Sequence, residues 1–177
     1  MPARAWQRFA AYLVDAVVWA PVMVLNYYLG GDSPEAGIVA NLLNAGLWVL
    51  YWVYCHARFG KTFGKHLLRI RVSRTNGMPL SAARVWARSG VDLGFTGFSE
   101  AGSAIALMRV SDEAYAGGAR WFRPLTMQAG AEPAWAEAVE WIWLAWMVGS
   151  FLFLAIHRQK RAPHDLIAGT RVVAEPR

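Results

Sequence analysis

Three stretches of this chain stay apolar over about the thickness of a bilayer, and that limits its folds more than any other feature. A hydrocarbon core of about 30 Å takes roughly 20 residues of helix. Residues 9–29 reach that length with only Asp15, Pro21 and Asn26 interrupting, and residues 38–57 and 137–157 reach it again. A fourth stretch, 86–110, is apolar on average but holds Asp92, Glu100 and the glycines Gly90, Gly94, Gly97 and Gly102, so hydropathy alone does not decide it. Composition agrees with a membrane setting: 56% of the 177 residues are hydrophobic and 17% are charged, against roughly 45–50% and about 25% in soluble domains. Ten tryptophans suit a chain that meets two headgroup boundaries. The lone Cys55 allows no internal disulfide. Arg4 and Arg8 ahead of an apolar run look like a signal peptide, but Asp15 lies inside the run and no small-x-small site follows Leu29, so the segment is expected to stay as a helix.

Charge decides the fourth stretch. Short loops rich in Lys and Arg stay in the cytoplasm. Fifteen of the eighteen basic residues fall in three blocks: Arg4 and Arg8, the run from Arg58 to Arg88, and the tail from Arg158 to Arg177. Only a fourth span puts all three blocks on one side and leaves Arg109, Arg120 and Arg123, with Asp32, Glu35, Asp112, Glu113 and Glu132, on the other. The expected fold class is therefore an all-α membrane protein, a four-helix transmembrane bundle with N and C termini cytoplasmic. It forms a single domain over 1–177, with spans at 9–29, 38–57, 86–110 and 137–157, a basic cytoplasmic loop at 58–85 and a cytoplasmic tail at 158–177. The net charge of +6 belongs to these blocks rather than to one basic face, so no nucleic-acid partner is expected; the partner is the lipid bilayer.

Two short segments break the helical pattern. Residues 68–74 alternate apolar and basic side chains and then meet Asn76-Gly77 and Pro79, which reads as a strand followed by a tight turn. Residues 170–174 read as a second strand. An isolated hairpin is only marginally stable, so the two are expected to pair into a small cytoplasmic β-sheet. The halves also echo each other: each has an Arg-then-Asp helix, an aromatic helix, a basic turn and a strand, with Leu67-Leu-Arg-Ile-Arg-Val72 aligned on Ile167-Ala-Gly-Thr-Arg-Val172. Such halves would form a parallel repeat about an axis along the membrane normal.

Few residues offer chemistry. A carboxylate inside a spanning helix costs several kcal/mol, of order ~3, unless paired, hydrated or protonated, which singles out Asp15. Arg8, two turns earlier on the same face, is its expected neighbour. The site is either a proton or cation site or a packing ion pair. Arg88 and Asp92, four apart, repeat the pattern. Asp165, after His164, is either a cytoplasmic gate for ions or a capping aspartate held by nearby arginines. The run Gly60-Lys-Thr-Phe-Gly-Lys65 fails as a phosphate loop, because position 55 is cysteine where that loop needs glycine. It reads instead as a basic interfacial turn, with Lys61 and Lys65, like Arg158, Lys160 and Arg161 in the tail, anchoring helix ends at anionic headgroups. The histidines His56, His66, His157 and His164 show no metal-ligand spacing, so neither metal nor cofactor is expected.

These residues together resemble the RDD family of bacterial membrane proteins, named for one arginine and two aspartates. Arg8-Phe-Ala-Ala-Tyr-Leu-Val-Asp15 is similar to its first-helix motif. Gly60-Lys-Thr-Phe-Gly-Lys-His-Leu-Leu-Arg-Ile-Arg-Val72 with Asn76-Gly-Met-Pro-Leu-Ser81 is similar to its central loop, and His164-Asp-Leu-Ile-Ala-Gly-Thr170 to its closing motif, where the second aspartate falls on Asp165. The resemblance covers about residues 4–174. It implies a multi-pass protein of the bacterial cytoplasmic (inner) membrane, with transport suggested for the family and sodium–proton exchange proposed for some members. The first expectation is thus a secondary transporter or cation/proton exchanger for Na⁺, K⁺ or H⁺, working as a homodimer. Asp15 would bind the ion, Arg8 would tune it, and Asp92 and Asp165 would assist. The alternative is a non-catalytic membrane scaffold or assembly factor for a partner protein. No catalytic residues are identified and the chain is not expected to be an enzyme.

Overall fold

A computed structural model describes residues 2–117, 123, 127 and 130–175; Arg120 and Arg177 lie outside them. In chain order the elements are α1 (Ala5–Gly30), α2 (Pro34–Phe59), α3 (Phe63–Leu67), β1 (Ile70–Arg74), α4 (Ala82–Met108), α5 (Asp112–Ala116), α6 (Ala134–Ile156), α7 (Pro163–Ile167) and β2 (Thr170–Ala174). The four long helices cover the four apolar stretches, and α1, α2 and α6 are long and apolar enough to cross a membrane. Helix α4 is as long but carries Arg84, Arg88, Asp92 and Glu100.

The distribution of side chains is inverted relative to a soluble protein. Val17 on α1 is 72% exposed and Ile156 on α6 is 80% exposed, while Arg8, Asp15, Lys65, Arg88 and Asp165 are buried. An exterior of apolar side chains around buried charges suits hydrocarbon rather than water.

The chain forms two compact units. One comprises Met1–Val18, Val49–Leu93 and Leu144–Arg177, the other Trp19–Trp48 and Gly94–Trp143. In the second unit, Ser33 caps α2 by accepting from the Ala36 amide at 3.1 Å, with Pro34 in the first helical position. Asn26 donates to Asn41 at 3.0 Å, and Trp19 donates to Asn44 at 3.2 Å, so polar side chains of α1 and α2 hydrogen-bond across the helix pair. Ser111 caps α5, and Tyr115 on that turn donates to the Gly30 carbonyl at 2.6 Å. Gly102 lets α4 approach α6 closely, since a Cβ there would come within 2.6 Å of the Ala136 Cβ.

The first unit holds the expected sheet. Strands β1 and β2 are antiparallel, with Val72 opposite Val172 and Ile70 opposite Ala174. A third segment joins them: Pro2 bridges Val173, and the Ala3 amide donates to the Val172 carbonyl at 3.0 Å. Ala3, Ala11, Ile70, Val72 and Val172 form the buried core beneath. The Asn76-Gly77 turn is present, with Gly77 at φ 82°, but it ends β1 without returning into a hairpin, and β1 pairs with β2 instead.

The internal echo extends to backbone geometry. The short helices α3 and α7 each precede a five-residue strand by two residues. Their N-caps have φ/ψ of −79°/173° and −83°/165°. The link to the strand is left-handed in both copies, at Arg69 (φ 52°) and Gly169 (φ 61°), as is the residue three positions before each short helix, Gly60 (φ 69°) and Lys160 (φ 51°). Non-glycine residues rarely adopt this region, so its recurrence at Arg69 and Lys160 reflects a repeated path rather than local preference.

Candidate functional site

Helix α7 is barely more than one turn, and Asp165 is its third residue. Its carboxylate turns back and accepts from the Ala162 amide at 3.0 Å, capping the turn to which it belongs. It is fully buried and bracketed by two guanidiniums. Arg8 Nη2 donates to Oδ2 at 2.7 Å and Arg88 Nη1 donates to Oδ1. Arg8 Nη1 also donates to the Lys160 carbonyl at 3.1 Å. Arg88 further contacts the Thr170 hydroxyl at 3.1 Å and His164 Nε2 at 3.1 Å. Arg161 closes the turn, donating from Nε to the Thr170 carbonyl at 3.0 Å and from Nη2 to the Asp165 carbonyl at 3.1 Å. Burial alone would raise the pKa of Asp165, but Arg88 and Arg8 hold it well below the usual carboxylate range. Burial, reinforced by Arg88, pushes His164 well below the usual imidazole value, so its Nε2 accepts from the guanidinium.

Asp15 has different company. It is 1% exposed on α1. Tyr51 Oη donates to its Oδ1 at 2.8 Å, Thr62 Oγ1 to its Oδ2 at 2.5 Å, and the Gly64 amide to its Oδ1 at 2.7 Å. All three donors are neutral, and among the described residues no ion-pair partner reaches it. The Gly64 amide is one of the free donors of the first turn of α3, so Asp15 caps that turn from a neighbouring helix. Glycine is required there, because a Cβ on Gly64 would overlap the Ala11 carbonyl.

The two short helices thus use charge in opposite senses. In α7 the acid, Asp165, sits on the turn and the base, Arg88, comes from α4. In α3 the acid, Asp15, comes from α1 and the turn carries a base, Lys65, in the position equivalent to Asp165. Lys65 is 8% exposed, with Nζ 4.4 Å from the centre of the Trp52 ring and 3.4 Å from Thr62 Oγ1.

The chain matches the family model described as the RDD family over residues 2–169. It belongs to the RDD family. No curated protein and no solved structure matches it. Family membership and three helices of spanning length and apolarity mark it as a membrane protein.

Of the residues that carried the RDD resemblance, Arg8 and Asp165 meet directly, although 157 positions apart. The sequence places Arg8 beside Asp15, two turns on along the same helix; its guanidinium instead reaches the closing motif, because the tail folds back over the start of α1. Arg88 likewise bonds to Asp165 rather than to Asp92, four residues on. Asp92 accepts from Trp146 Nε1 at 3.3 Å. Of the residues expected at headgroups, Lys65 is buried, Arg161 bonds inward, and Lys61 pairs with both oxygens of Glu175 at 2.9 Å. Lys160 Nζ donates to the Ala155 carbonyl at 2.6 Å, near the end of α6, and Arg158 is exposed. Sequence reasoning missed Tyr51, Thr62, Gly64 and Thr170. For Thr62 the available signal was its place as the capping residue before Phe63-Gly-Lys. Among the described residues, no three His, Cys, Asp or Glu side chains gather as a metal cluster.

Proposed function

We propose that this RDD-family protein is a secondary transporter that exchanges a monovalent cation, Na⁺ or K⁺, for protons at Asp15. The single observation that carries this is the contrast between its two buried carboxylates. Asp165 has its charge matched by two arginines, which suits a structural tie. Among the described residues Asp15 has only neutral hydrogen-bond donors, so its charge is available to a mobile ion. Its two carboxylate oxygens with Tyr51 Oη and Thr62 Oγ1 form a hard oxygen set of the kind that suits alkali cations rather than soft metals.

The protein works as a multi-pass protein of the bacterial cytoplasmic membrane, with four spans and with the sheet and both chain ends on the cytoplasmic side. In support, the 27 residues of α4 extend about 40 Å as helix. Its buried Arg88 bonds within the protein, which is why averaged hydropathy undervalues this helix as a span. Two copies form the ion path between them, with the α4 face bearing Gly90, Gly94 and Gly97 as the contact; a Cβ at any of the three would meet nothing within 4 Å, and small residues let helices approach in lipid.

The test is reconstitution in liposomes with a pH-sensitive dye inside, pulsed with Na⁺ or K⁺, beside Asp15→Asn and empty vesicles. Cation-dependent proton movement is expected, and is expected to vanish in a well-folded Asp15→Asn variant. Folded, inserted protein giving no flux above empty vesicles would refute exchange and favour a non-catalytic assembly module.

A further inference from the structure

The β1–β2 sheet borders a cleft of about 430 Å³, lined by Pro2, Thr75, Gln159, Arg161, Arg171 and Val173. Small-molecule sites occupy roughly 300–1,000 Å³, so the cleft has room for a polar headgroup as well as for a bare ion. Its chemistry is one-sided: two lining residues are arginines, Thr75 and Gln159 supply neutral donors, and none of the six is acidic. Arg161 is already held in place, with Nε donating to the Thr170 carbonyl at 3.0 Å and Nη2 to the Asp165 carbonyl at 3.1 Å. Its Nη1 has no partner among the described residues, so a fixed guanidinium keeps donors to spare. Arg171, the residue after Thr170 on β2, is exposed, and no acid among the described residues pairs with it. Strand register sets a third guanidinium on the same face of the sheet. Arg71, also exposed, lies opposite Val173, and Ser73 lies opposite Arg171.

The place of the cleft in the fold says which anion it meets. Pro2 lies three residues before α1 and Gln159 three residues after α6, and both helices are long and apolar enough to cross a membrane. These two helix ends are neighbours. Phe9 packs edge-on against Phe151 with ring centres 5.6 Å apart, and Arg8 Nη1 donates to the Lys160 carbonyl at 3.1 Å. Next along the chain from the cleft, α1 exposes Trp6 and Phe9, and α6 exposes Leu152 and Ile156. A soluble phosphoester has no use for those side chains, whereas acyl chains pack on them.

We propose that this cleft binds the phosphate of an anionic phospholipid. Arg161 and Arg171 fork onto the phosphate oxygens, as guanidiniums do with planar bidentate geometry. Thr75 and Gln159 donate to the remaining headgroup oxygens, and the acyl chains lie against the exposed side chains of α1 and α6. An anionic headgroup is selected over a zwitterionic one because the lining offers no carboxylate to receive an ammonium. The proposal requires only that α1 and α6 meet lipid, and it stands apart from exchange at Asp15.

The test uses the full chain purified in dodecyl maltoside. Native mass spectrometry counts the lipid retained from titrations with phosphatidylglycerol and with phosphatidylcholine of the same acyl chains. One phosphatidylglycerol is expected to be held at concentrations at which phosphatidylcholine is not. Arg171→Ala removes an exposed side chain and is expected to melt as the parent does while weakening retention about tenfold, the size of a lost charge-assisted hydrogen bond; Arg171→Gln serves should the alanine variant fail to fold. Arg158→Ala removes the same charge from a neighbouring exposed position outside the lining, and is expected to change retention less than about twofold at physiological ionic strength. Equal retention of the two lipids, or equal losses from Arg171→Ala and Arg158→Ala, overturns the site. Glycerol phosphate at millimolar concentration is expected not to displace the lipid; displacement would overturn the lipid assignment in favour of a soluble phosphoester.

Discussion

The Arg8–Asp165–Arg88 tie gives the sharpest structural prediction. Asp165→Asn keeps the volume and leaves an oxygen to cap α7, so the substitution isolates the charge. It leaves two buried guanidiniums facing each other with no negative charge between them. Removing one partner of a buried pair costs about 3–5 kcal/mol, and Asp165 serves two partners while itself being wholly buried. A loss of that size is comparable with the lower end of the roughly 5–15 kcal/mol that holds a typical domain together. Thermal unfolding of detergent-solubilised protein, followed by tryptophan fluorescence and by size-exclusion retention, is expected to show a large drop in midpoint or failure to recover folded protein. Adding Arg8→Met to Asp165→Asn removes one of the orphaned charges and is expected to recover part of the loss. The pH dependence follows from the same pairing. Because the folded pKa of Asp165 lies below its unfolded value, near 3.9 for a free aspartate, its contribution is complete above that pH and fades as pH falls towards the folded value. The variant should lack this acid-side slope. An Asp165→Asn protein within ~0.5 kcal/mol of the parent, with an unchanged acid limb, would refute the claim that this carboxylate holds the unit together.

Two further substitutions test the packing around Asp15 and the surface. Gly64→Ala sets a methyl against the Ala11 backbone rather than a yielding side chain, so α3 must shift away from Asp15; a cost of about 1–3 kcal/mol is expected in the same melting assay, and parental stability would show that α3 is not fixed there. Lys61→Ala removes a pair whose side chains are 22% and 25% exposed and should cost ~1 kcal/mol or less; a fall of several degrees in melting temperature would mean that the tail depends on this contact.

Much of the architecture was legible in the chain because it rests on local, one-dimensional signals. Apolar length marked the long helices, and the alternation at 68–74 and the short strand-like run at 170–174 marked strands that do pair. Asp15 stood out because a carboxylate in an apolar helix needs a reason. The pairing of charges was not legible. Spacing along a helix suggested Arg8 with Asp15 and Arg88 with Asp92, but a long guanidinium side chain reaches any acid within several ångströms, whichever segment supplies it. The nearest acid in space, Asp165, lies on a turn more than 70 residues from either arginine. Lys65 misled for a related reason, since a lysine in a basic loop usually faces water or headgroups, whereas here the close approach of Gly64 to Ala11 carries it inward.

By itself, then, the sequence determined that the chain is a helical membrane protein of the RDD type, where its long helices run, that two short strands pair, and that Asp15 is an unusual residue. Those properties follow from the hydrophobic period and from the cost of charge in hydrocarbon, both of which act residue by residue. Only the tertiary structure decided which charges meet. It made Asp165 a tie between two arginines and left Asp15 among neutral donors beside a buried lysine, because partners in a low-dielectric interior are chosen by the distances that the fold imposes.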